Sequence, residues 1–149
     1  MGRPPRGGLA DTRPRPAAVI GLDTSVVVRY LVGTPEGQAK RAAALIDGDE
    51  ACAISLVALA EAAHVLRTQY AVAQRDIIDA LTALIQRENV RLLGIRTEHV
   101  VSALVRARDL PGRPIPDALI VASSFAGDAV PLATFDRGQA KYGIETRAP

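Results

Sequence analysis

One cysteine, Cys52, is all the thiol this chain has. A lone cysteine forms no internal disulfide, which excludes the stapled secreted scaffolds and fits a reducing, cytoplasmic setting. Its neighbours Ala51, Ala53 and Ile54 mark it as a buried, inert thiol rather than a nucleophile. Tryptophan is absent, and aromatics are 3% of a chain that is 48% hydrophobic. The core is therefore expected to be aliphatic, which suits helices packed on strands better than an aromatic-rich β-sandwich. No apolar run reaches the ~18 residues of a membrane span. No stretch of the ~7–15 apolar residues that a secretory leader needs precedes Val19. The two histidines, His64 and His99, have no second His or Cys at zinc spacing. No glycine-rich phosphate loop opens a helix, because Gly7-Gly8 precedes no strand. Ser123-Ser124 lies in no nucleophile elbow.

Net charge is also nearly missing from the body of the chain. The formal net is +2, but residues 1–17 hold Arg3, Arg6, Arg13 and Arg15 against one acid, Asp11. Residues 18–149 keep 14 basic and 15 acidic side chains, a net of −1. The first 17 residues also carry four prolines and three glycines, so they are expected to form a disordered basic tail. Such a tail can add weak, salt-sensitive attraction to nucleic acid, or simply be solvated. The body, residues 18–149, is the length of one ordinary domain.

What is present alternates between two periods. Short apolar runs at 18–22, 51–54, 90–93 and 130–133 read as strands, with an edge strand at 144–146. Helical spacing predicts helices over 24–32, 35–46, 56–69, 73–88, 97–109 and 118–125, with a helical turn at 139–142. Ser55 and Thr97 are expected as N-caps. The stretch 110–116, with three prolines, reads as a loop. Strands alternating with helices predict an α/β domain, with a mainly parallel four- to five-stranded sheet flanked by helices on both faces.

Four acids stand in apolar or helix-opening contexts: Asp23, Glu61, Asp117 and Asp136. Asp23 ends the first strand and opens the first helix, so it reads both as an N-cap and as a site acid. Asp117 and Asp136 are likewise acceptable helix-start acids. Glu61 lies within a helix among Leu59, Ala60, Ala62 and Ala63, and has no capping role. Parallel strands end on one side of a sheet, and right-handed crossovers bring the following helix N-termini over that edge. The four acids are thus expected to converge. Carboxylates gathered without basic partners repel one another. A hard cation, Mg²⁺ or Mn²⁺, relieves that repulsion and prefers oxygen ligands. Such ions activate water and steady both oxygens of a phosphodiester displacement. Arg113 and Arg137 stand beside two of the acids, where they face either solvent or a phosphodiester backbone.

The segments LDTSVVVRYL, LAEAAHVL, IPDALIVASS and ATFDRGQAK, in this order, resemble the PIN-domain family over about residues 18–147. The toxins of VapBC-type toxin–antitoxin pairs are the nearest likeness. The resemblance implies a PIN-like three-layer sandwich and a Mg²⁺- or Mn²⁺-dependent endoribonuclease in which metal-activated water cleaves RNA. It places Asp23, Glu61, Asp117 and Asp136 at the acidic metal-binding positions, and Thr134 at a hydroxyl position near the site. It also implies a homodimer held inactive by a cognate antitoxin. Two departures from the family are the Arg/Pro tail and the proline-rich approach to Asp117.

Two other readings compete. An aspartyl-phosphate protein of phosphatase type needs a second Asp two residues after Asp23, where this chain has Ser25. A receiver-type protein expects a late lysine, and Lys141 is poorly placed for it. A binding module that kept the fold without activity has no need of four acids.

Overall fold

The computed structural model describes residues 18–110 and 112–149; the tail expected over residues 1–17 lies outside them, as does Pro111. The chain opens with strand β1 (Ile20–Leu22) and passes directly into helix α1 (Thr24–Val32). Asp23 makes that switch. Its backbone is extended, and its side chain accepts from the Ser25 N–H, satisfying one of the free donors of the first turn. Gly33 ends the helix at φ 80°, a left-handed conformation that costs a glycine little. Helix α2 (Glu36–Ile46) follows, with Pro35 at its N-cap.

Strand β2 (Cys52–Ile54) leads into α3 (Leu56–Tyr70), and Ser55 caps that helix by accepting from the Ala58 N–H. Next come α4 (Gln74–Ile85), β3 (Val90–Leu92) and α5 (Thr97–Arg108). Then follow α6 (Ile115–Ala126), β4 (Leu132–Ala133), a 3-10 helix (Arg137–Tyr142) and β5 (Thr146–Arg147).

All strand pairings are parallel, as expected. Among the described residues, hydrogen bonding divides the five strands into two sets: β1-β2-β3, with β2 central, and β4-β5. Pro131 has no N–H to donate to a ladder, and pairing in β4 begins only after it. All three residues of β2 are buried, so that strand is covered on both faces. Helix α3 packs against α1, α4 and α6, which places it between the helices that carry Asp23 and Asp117.

The core is mostly the expected aliphatic one. Ile54, Leu59, Ile77, Leu81 and Leu104 are each at most 1% exposed. One aromatic joins them: Tyr142, fully enclosed, is the largest of the fully buried side chains. Among the described residues no helix is long and apolar enough to cross a membrane.

Several boundaries differ from the sequence expectation; α4, for one, ends at Ile85 rather than at Glu88. Arg96, not Thr97, is the N-cap of α5, and Thr97 is its first residue. Helix α6 starts at Ile115 rather than at Ala118. Proline lacks only an N–H that the first turn leaves unpaired, so Pro116 fits inside that turn instead of ending the loop. Ile144 turns into the core, and pairing in β5 begins two residues later.

Candidate functional site

Strand register sets the first half of the site. Leu22 of β1 lies opposite Ile54 of β2, so Asp23 and Ser55 both stand just past the same carboxyl edge. Helices α1 and α3 therefore start side by side and pack together. Glu61 is on α3, exposed, with Ala62 and Ala63 buried behind it. The Thr24 hydroxyl, next to Asp23, lies 3.4 Å from Glu61 Oε2 and 3.4 Å from the Ala58 carbonyl oxygen. Asp23 Oδ2 accepts from Ser25 Oγ at 2.7 Å and from Ser25 N at 3.3 Å. These bonds, the hydroxyl one foremost, hold the Asp23 carboxyl below the usual aspartate range. Asp23 is thus a helix cap and an exposed, ionised carboxylate at once.

The second half is built on α6 and the 3-10 helix. Asp117 lies in the first turn of α6 and is half-buried. Asp136 caps the 3-10 helix, its Oδ1 accepting from the Gly138 N–H at 2.8 Å. Arg113 joins the two acids. Its Nη2 is 2.7 Å from Asp136 Oδ2 and 3.5 Å from Asp117 Oδ2. Its guanidinium carbon lies 5.9 Å from the centre of the Tyr142 ring, a cation–π distance. The Tyr142 hydroxyl donates to the Pro114 carbonyl at 3.3 Å and so ties the ring to the start of α6. The Arg113 contact, followed by the Gly138 N–H, lowers the Asp136 pKa.

The four acids expected to converge therefore form two pairs: Asp23 with Glu61 through Thr24, and Asp117 with Asp136 through Arg113. Among the described residues no group of three or more His, Cys, Asp or Glu side chains is arranged to hold a metal ion. The second pair also has a basic partner that repulsion arguments from sequence left out. The donor chemistry nonetheless suits a hard divalent ion, because all four groups are carboxylates and a guanidinium already stands as a cation between two of them.

Thr134 positions rather than projects: its Oγ1 accepts from the Asp136 N–H at 3.0 Å. Arg137 is exposed at the start of the 3-10 helix. Arg113 is not a solvated surface residue but is drawn in between two acids. Sequence reasoning passed over Thr24, Ser25 and Tyr142. The first two were legible as hydroxyls flanking Asp23 at a helix start; Tyr142 had no local signal.

Neither a curated protein nor a solved structure matches the chain. The family profile that does match is the PIN domain, over residues 20–145. Domains of this family have a nuclease-type α/β fold. The match spans both halves of the site, from β1 to the residues before β5, and the chain belongs to the PIN-domain family.

Proposed function

We propose that this chain is a divalent-metal-dependent endoribonuclease, the toxin of a type II toxin–antitoxin pair of VapBC type. The observation that carries the reading is the pairing of four carboxylates from four separate segments in a PIN domain, two of them already sharing one cation. Asp23, Glu61 and Asp117 are the residues that would hold Mg²⁺ or Mn²⁺, with Asp136 a direct or water-mediated ligand. The bound ion supplies Lewis acidity at a phosphate oxygen and a lowered pKa for water.

The chain's own residues prepare that chemistry. Ser25 fixes the Asp23 carboxylate in its ionised form. Thr24 steadies Glu61 beside it. Thr134 and Gly138 hold the backbone and carboxylate of Asp136. Arg137 and Arg113 supply positive charge for a phosphodiester. Residues 18–149 carry a net charge of −1, so RNA is placed by its shape and by the metal more than by a basic field. The partners that follow are an RNA substrate, a cognate antitoxin and a second copy of the chain, in the cytoplasm.

The test is cleavage of single-stranded RNA with Mg²⁺ or Mn²⁺, by the wild type and by Asp23→Asn. The wild type is expected to cleave, to stop on chelation, and to lose at least about a hundredfold in rate on the substitution. Full activity in Asp23→Asn contradicts the role of Asp23. Absence of cleavage by the wild type contradicts the enzyme reading and favours a binding module.

A further inference from the structure

We propose that Arg113 is a built-in counter-cation that occupies the place of the divalent ion at Asp117 and Asp136, so that metal uptake requires its guanidinium to leave. The proposal rests on the metal-dependent reading above and adds a competitor from the chain itself.

Two ion pairs of this protein show why Arg113 is a place-holder. Arg108 grips Asp79 with two nitrogens, Nε at 2.7 Å and Nη2 at 3.0 Å, the paired geometry that makes such bonds strong. Arg113 offers two carboxylates a single nitrogen, Nη2, at 2.7 Å and 3.5 Å. Its Nε is shielded from solvent and has no hydrogen-bond partner among the described residues. A buried donor left unpaired is unfavourable. Arg113 therefore neutralises the acids without being locked by them. Its contact atoms are Asp117 Oδ2 and Asp136 Oδ2, carboxylate oxygens that a hard cation would also need.

Space as well as charge keeps it there. A Cβ added at Gly138 would collide with the Arg113 guanidinium, so glycine at this position leaves the room that the side chain fills. The Tyr142 ring forms the floor below it. Without a cation, Asp117 and Asp136 would face each other uncompensated, and Arg113 between them supplies that charge. A divalent ion binding there must displace that contact, and its apparent affinity falls accordingly.

The experiment is titration of the full chain with Mn²⁺ alone, read by the loss of the free-ion paramagnetic resonance signal, for wild type, Arg113→Gln and Gly138→Ala. Circular dichroism first checks that each variant folds. Arg113→Gln removes the competitor, and Gly138→Ala pushes it aside with its charge retained. Both are expected to bind Mn²⁺ more tightly, by roughly tenfold, the equivalent of one charge-assisted hydrogen bond. Arg113→Gln is also expected to melt at a lower temperature than wild type without metal, a gap that narrows as Mn²⁺ is added. Wild-type affinity in both variants overturns the proposal and leaves the metal site standing. Tighter binding in Arg113→Gln alone overturns it too, since distant charge then accounts for the gain. No Mn²⁺ binding by any of the three overturns both the competition and the metal-dependent reading.

Discussion

Asp136 is held from two sides, by Arg113 Nη2 and by the Gly138 N–H, and both favour its charged form. Its folded pKa lies below that of the unfolded chain, where an aspartate titrates at about 3.9. The stability it contributes is therefore fully present above that value and is lost as pH falls through the folded pKa. Asp136→Asn is expected to flatten the loss of stability that sets in as pH falls below about 4, as measured by denaturant melts at each pH. Because Asp136 is exposed, added salt is expected to shrink the difference. Asp23 titrates in the same sense, owing first to the Ser25 hydroxyl. Ser25→Ala is expected to raise the Asp23 pKa towards the ordinary value, as followed by carboxyl NMR; an unchanged value contradicts the assignment of that shift to the hydroxyl.

Among the elements, helix α1 was legible to the residue, because Asp23 and Gly33 bracket it with a cap and a left-handed stop. Helix α6 was not, because three prolines suggested a loop, although Pro116 is harmless in a first turn. The end of β4 was legible, but its partner was not: which strand a two-residue segment pairs with depends on distant backbone. Two substitutions test the elements around the site. Ser55→Ala removes the bond to the Ala58 N–H at 3.1 Å and is expected to cost about 1 kcal/mol by chemical denaturation. Asn89 Nδ2 lies within 3.2 Å of the carbonyls of Ile46, Gly48 and Glu50, and so clasps the link from α2 to β2. Asn89→Ala leaves those carbonyls short of a donor and is expected to cost about 2 kcal/mol. If it is neutral, the clasp does not set the start of β2.

Over the whole molecule, an aliphatic core holds two acidic pairs, one where α1 packs on α3 and the other where α6, itself packed on α3, meets the 3-10 helix. Leu59, fully buried in α3 two residues before Glu61, couples core to site. Leu59→Ala is expected to cost about 3 kcal/mol, seen as a lower midpoint of thermal unfolding. The candidate acids were legible from their apolar and helix-start surroundings. Their grouping was not, since Arg113 and Asp136 meet across 23 residues and Tyr142 reaches Pro114 across 28. Such contacts arise only when a loop, a helix start and a 3-10 helix pack together, and no local pattern encodes that. Under the proposed function, both pairs serve one divalent ion. The most direct measurement is Mn²⁺ affinity, by calorimetry, for Asp23→Asn, Glu61→Gln, Asp117→Asn and Asp136→Asn. The first three are each expected to weaken binding by at least about tenfold, and Asp136→Asn by less. Unchanged affinity in both members of either pair would contradict this.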